Sequence, residues 1–122
     1  MSIQSFRDLE VWQKAMEMAE EVYRLTKDFP KEELFGLTSQ MRRAATSVPA
    51  NIAEGWARRG TKEFLQFLNI ASGSLRELET YLLLAERIQL ARAPQVQPLL
   101  ELAQTLGKQL IALQRSLSAK SK

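Results

Sequence analysis

The chain has 122 residues, 45% hydrophobic and 25% charged, with a net charge of +3 and neither cysteine nor histidine. That length and balance describe a single globular domain over residues 1–122, able to bury a core without staples. Lack of cysteine excludes a disulfide framework, a thiolate metal site and a cysteine nucleophile, and lack of histidine removes the imidazole that zinc, facial-triad iron and Ser-His-Asp sites normally use.

The N-terminal MSIQSFRDLE carries charges close in and has no apolar centre, so it does not read as a signal peptide. The first helix is expected from about Phe6 to Lys27. Two neighbouring apolar stripes run along it, one through Leu9, Trp12, Met16, Ala19 and Tyr23, the other through Val11, Ala15, Met18, Val22 and Leu25. Together they cover nearly half the cylinder, wider than the roughly 100° a core-facing helix minimally needs. Asp28-Phe29-Pro30 should end it, because the residue before a proline is pushed out of the helical region.

A second helix is expected to start near Phe35–Leu37. At about 100° per residue, Leu37, Met41, Ala45, Val48 and Ile52 form its apolar stripe. Gln40, Arg43, Ser47, Asn51, Glu54 and Arg58 form a separate polar stripe, and Thr46, Pro49, Ala50, Ala53 and Ala57 fill a third side with compact residues. Pro49 should kink this helix or break its ladder locally, since proline lacks the donor and crowds the preceding turn. Arg58-Arg59-Gly60 reads as a tight loop.

Thr61 suits the N-cap of a third helix, with Glu63 in the first turn complementing the dipole. Its apolar stripe is Phe64, Phe67, Leu68, Ala71, Leu75, Leu78, Leu82 and Ala85, and Ile70, Ser74, Glu77, Tyr81, Leu84 and Ile88 flank it. Ala71, Gly73 and Ser74 would let another backbone come close. Tyr81 to Ala85, the longest greasy stretch, is far too short to span a membrane. Pro94 to Pro98 suits the entry to a fourth helix, which shows the heptad Leu99, Ala103, Leu106, Leu110, Leu113, Leu117. Residues 118–122 are expected to be a frayed, basic, disordered tail. Four helices joined by short loops make an all-α, antiparallel up-down-up-down four-helix bundle the expected fold. The expected setting is soluble and cytoplasmic, with no membrane partner.

Positive charge is unevenly placed. Residues 1–35 hold five basic and eight acidic side chains, whereas residues 36–62 hold Arg42, Arg43, Arg58, Arg59 and Lys62 against Glu54 alone. Arg58, Arg59 and Lys62 form a compact cluster beside Trp56, whose ring either offers a base a stacking surface or closes the end of the bundle. This cluster is the candidate patch for an anionic partner, RNA or DNA. Arg42, nearly opposite the polar stripe, reads as a surface charge.

Catalysis has little to rest on. Di-iron bundles need Glu-x-x-His motifs on facing helices, which a chain without histidine cannot supply, and Glu17, Glu20 and Glu21 read as a solvated face. No enzymatic activity, metal, cofactor or small-molecule substrate is expected. The polar stripe Gln40, Arg43, Ser47, Asn51, Glu54 has two readings. One is an intrahelical ladder, with Arg43 bonding Ser47 and Glu54 pairing Arg58 at i,i+4. The other is a seam at a subunit interface, favoured by the alanine-rich side next to it.

The chain resembles the four-helix-bundle proteins first noticed in intervening sequences of bacterial 23S ribosomal RNA genes. The resemblance covers residues 6–90 and rests on F-x-D-L-x-V-W-x-K-A at Phe6 to Ala15, F-P-x-x-E-x-x-G-L at Phe29 to Leu37, and Q-x-R-R-A-A-x-S-V at Gln40 to Val48. N-I-A-E-G at Asn51 to Gly55 and E-F-x-x-F-L-x-I-A-x-G-S-L-x-E-L-E-T at Glu63 to Thr80 complete it. The resemblance implies a left-handed antiparallel bundle and a ring-like homopentamer, without a settled activity. A distant branch comprises accessory proteins of diversity-generating retroelements, basic pentamers that work with a reverse transcriptase and nucleic acid. The expectation is therefore a non-enzymatic, self-assembling bundle that serves as a nucleic-acid-associated accessory; the alternative is a protein-binding scaffold.

Overall fold

The computed structural model describes residues 2–120. Helix α1 spans Glu10–Thr26, α2 Leu37–Ala57, α3 Thr61–Arg87 and α4 Ala93–Lys120, with no strand among the described residues. The helices pack in cyclic order: α1 on α2, α2 on α3, α3 on α4, and α4 back on α1. Short connections between them reverse the chain each time, so the fold is the expected all-α, antiparallel four-helix bundle.

The apolar stripes meet in one core. Met18 and Val22 of α1, Met41, Val48 and Ile52 of α2, Leu75, Leu78 and Leu82 of α3, and Leu106 and Leu110 of α4 are completely or almost completely enclosed. The heptad of α4 holds as read, with Leu99, Ala103, Leu106 and Leu110 buried and Leu113 and Leu117 packed at the core's edge. Among the described residues no helix is long and apolar enough to cross a membrane.

Several boundaries differ from expectation, each for a local reason. The segment from Phe6 is a single 3-10 turn, Phe6–Asp8, rather than the start of α1. A capping box fixes it: Ser5 Oγ accepts from the Arg7 amide at 3.2 Å, while Asp8 Oδ2 accepts from the amides of Gln4 and Ser5 at 3.0 and 3.1 Å. Leu9 is extended, so the α-helix begins only at Glu10. At α3 the N-cap is Gly60 and Thr61 is already helical, leaving that terminus without a side-chain cap. Pro49 does not interrupt α2; it is buried, and packing holds the helix through the missing ladder bond. At the other end α4 continues through Ser118, Ala119 and Lys120, where fraying was expected; Ser121 and Lys122 lie outside the described residues.

Helices α2 and α3 approach closely at Gly55. A Cβ on that residue would stand 2.7 Å from Phe67 Cβ and 2.9 Å from Phe64 Cδ1. Glycine is therefore what lets the end of α2 meet the first turns of α3.

Candidate functional site

The polar stripe of α2 divides between two environments. Ser47 turns inward toward α3, its Oγ sharing a hydrogen bond of 2.8 Å with Ser74 Oγ, and Asn51 Nδ2 backs it from the same helix, donating to Ser47 O at 2.8 Å and to Ser47 Oγ at 2.9 Å. This is a polar joint inside the chain, and it satisfies Ser74, which is buried. Gln40, Arg43 and Glu54 are exposed. Gln40 and Arg43 border a small polar cleft of about 170 Å³ with Ser74 and Glu77 of α3. Glu54 pairs with Arg58 at 2.9 Å, as an intrahelical ladder requires. The other rung is absent, because Arg43 makes no side-chain bond to Ser47.

Arg42 is not a free surface charge. Its Nε donates to Thr26 Oγ1 at 2.9 Å, and its guanidinium lies 4.5 Å from the centre of the Tyr23 ring. Thr26 is 2% exposed and itself donates to Val22 O at 2.8 Å. Arg42 thus clamps α2 to the end of α1. Arg42→Ala is expected to cost about 1–2 kcal/mol in urea unfolding, from one charge-assisted hydrogen bond and one cation–π contact. Arg42→Lys should recover only part, since an ammonium cannot donate from Nε and stack a plane together.

The cationic end is built by the tight turn between α2 and α3. Arg58, Arg59 and Lys62 are all exposed there. They are not equivalent: Arg58 is held by Glu54 and sits 5.3 Å from the centre of the Phe67 ring. The side chains of Arg59 and Lys62 have no hydrogen-bond or ion-pair partner among the described residues. Trp56 meets Phe64 edge-on, ring centres 6.1 Å apart, and is half-buried at the bundle's end. Trp56, Phe64, Phe6 and Arg59 border an open cleft of about 680 Å³.

Two apolar surfaces are left without a cover. The first is a groove of about 630 Å³ between α1 and α2, lined by Trp12, Met16 and Tyr23 on one side and Pro49, Ala50 and Ala53 on the other. The compact third side of α2 and the outer stripe of α1 both end here. The second is a line along α3, where Ile70 and Leu84, with Ile88 just past the helix end, are each exposed by 43% or more and the exposed Glu77 falls between them. Gly73 falls in the same line, and nothing lies within 4 Å of where its Cβ would be. Phe35, in the turn before α2, is 92% exposed. The wide stripe on α1 signalled the groove in the sequence. Phe35 carried no such signal, being a single residue in a loop.

Comparison with curated proteins returns no match. A solved structure of a protein of unknown function from the S23 ribosomal protein family of Bacteroides thetaiotaomicron is similar, at 26% identity and a TM-score of 0.77. The similarity covers 85% of this chain and 97% of that one. The sequence pattern described as 23S rRNA-intervening sequence protein matches residues 7–112. With that match across most of its length, including all of α1 to α3 and the core of α4, the chain belongs to the 23S rRNA-intervening sequence protein family.

Proposed function

We propose that this chain is a non-catalytic, self-assembling bundle that presents its cationic α2–α3 end to nucleic acid. The observation that carries the reading is the almost wholly apolar groove between α1 and α2, left open on a chain whose core is already closed. Contiguous apolar surface of this kind marks an interaction site. The proposed occupant is the α3 line of a second copy, Ile70, Leu84 and Ile88, flanked by the exposed edge of the polar stripe at Gln40, Arg43 and Glu54. Groove and line are different surfaces, so the contact is heterologous and generates a ring when the rotation closes. A ring of five is the state implied by the resemblance to related bundles.

Assembly gives a weak cationic patch its effect. Arg59 and Lys62, with Arg58 in part, repeat once per subunit, and repeated weak contacts bind by avidity. Two measurements test the proposal. Light scattering coupled to size-exclusion chromatography at micromolar concentration should give a mass several times 13.9 kDa; a strict monomer overturns it. Binding to single-stranded RNA should fall steeply with added salt as counterions are released. No binding even at low salt removes the nucleic-acid part and favours a scaffold for another protein.

A further inference from the structure

We infer that the cleft at the α2–α3 end takes one unpaired base of a single-stranded nucleic acid, stacked on Trp56, with the adjoining phosphate at Arg59 and Lys62. The inference rests on the reading of this end as the nucleic-acid-facing one. Its starting point is the cleft itself, about 680 Å³, within the roughly 300–1,000 Å³ typical of small-ligand sites. Three elements supply its aromatic walls: Phe6 from the 3-10 turn, Trp56 from α2 and Phe64 from α3. Phe6 and Trp56 are only half-buried, so aromatic surface remains uncovered in the cleft. A bare anion would have no use for such walls, and a paired base inside a duplex could not reach them. An unstacked base satisfies both conditions, because every base offers a π-face.

The charges around the cleft fit the same ligand. Arg59 lines it with its side chain unpaired, and Lys62, three residues further on, is exposed in the first turn of α3 just outside the lining. Two of the nearby carboxylates are engaged. Asp8 accepts from the amides of Gln4 and Ser5, and Glu54 is paired with Arg58. Glu63 reaches over Gly60, its Oε1 2.6 Å from where a Cβ would stand, so its carboxylate shares this end with the Arg59 and Lys62 cations.

Backbone conformation supplies a matched control. Arg59 adopts φ 64°, at the position after the helix C-cap where glycine is usual because any Cβ is strained there. Glycine is the next residue, yet it does not occupy that position. Gln89 shows the same conformation, φ 67°, after α3. It lies at the opposite end of a 27-residue helix from the cleft. The two positions carry matched strain, and only one of them puts a cation at the cleft.

That pairing makes the test. Fluorescence anisotropy at low salt, on the full chain, compares a labelled 12-mer of deoxyadenosine with an abasic 12-mer of equal phosphate count. The abasic strand is expected to bind about tenfold more weakly, the scale of one lost stacking contact. Arg59→Gly should raise the melting temperature while weakening binding of the deoxyadenosine strand severalfold. Gln89→Gly should raise melting and leave binding unchanged. Trp56→Leu should lose about tenfold and Trp56→Phe most of that recovered, in line with a stacking role. Equal, salt-sensitive binding of both strands overturns the base site and leaves the cationic-patch reading standing. Unchanged binding by Arg59→Gly also overturns the site. If neither strand binds at low salt, both readings fall together.

Discussion

Gly55→Val is expected to lower stability by about 3 kcal/mol, at the upper end of what overpacking a tight contact costs. Helix propensity alone argues weakly the other way, since glycine is a poor helix former. Sterics decide, because the atom that a new Cβ would strike is Phe67 Cβ at 2.7 Å. That atom is fixed to the backbone and cannot rotate aside, so α2 and α3 must separate, loosening the contacts of Phe64 and Trp56 with them. Urea unfolding monitored by circular dichroism reads the change directly. Gly73→Ala is the control: nothing lies within 4 Å of its Cβ position, so the chain should gain about 0.5–1 kcal/mol from propensity. A neutral Gly55→Val would mean that the two helices do not approach as described.

The second large effect is on assembly rather than folding. Ala50 is exposed on the outer side of α2 and borders the α1–α2 groove. Ala50→Glu leaves the isolated bundle with a solvated carboxylate on a helix surface, so its helix content should not change. In an assembled state the same carboxylate would be enclosed among Trp12, Met16 and Pro49, and Arg24 on the groove's lining is already paired with Glu20 and Glu21. An uncompensated buried charge costs about 3–5 kcal/mol, roughly a hundred- to several-thousandfold in each contact. Light scattering should therefore report the mass of one chain. An unchanged oligomeric mass would place the subunit contact elsewhere on the bundle.

How much of this was legible in the sequence depends on which physical signal each feature sends. Helices α1 to α4 were legible because each has an apolar stripe of its own, and the enclosed Met41, Val48 and Ile52 or Leu75, Leu78 and Leu82 sit where a 3.6-residue period puts them. Helix ends depend on single side chains and are less legible. Ser5 and Asp8 cap a 3-10 turn instead of α1, and Gly60 rather than Thr61 begins α3.

The polar stripe shows the limit of a helical wheel. A wheel gives the direction in which Ser47 and Asn51 point, but not that Ser74 of α3 waits there. Arg42 was misjudged for the same reason: its partners, Tyr23 and Thr26, are set by how α1 crosses α2. Segregation of the basic residues around Arg58, Arg59 and Lys62 could be read from the chain. Their inequality could not, since it depends on the Glu54 pair and on the conformation of Arg59.

The cyclic packing order of the helices also bears on how the chain acquires its structure. Each helix packs on its sequence neighbours, and the joints between distant parts of the chain are α4 on α1 and the Phe6–Asp8 turn on α2. Most contacts therefore close short loops, the topology of the fastest-folding domains. Helical hairpins can form early, with the docking of α4 on α1 as the entropically expensive closing event.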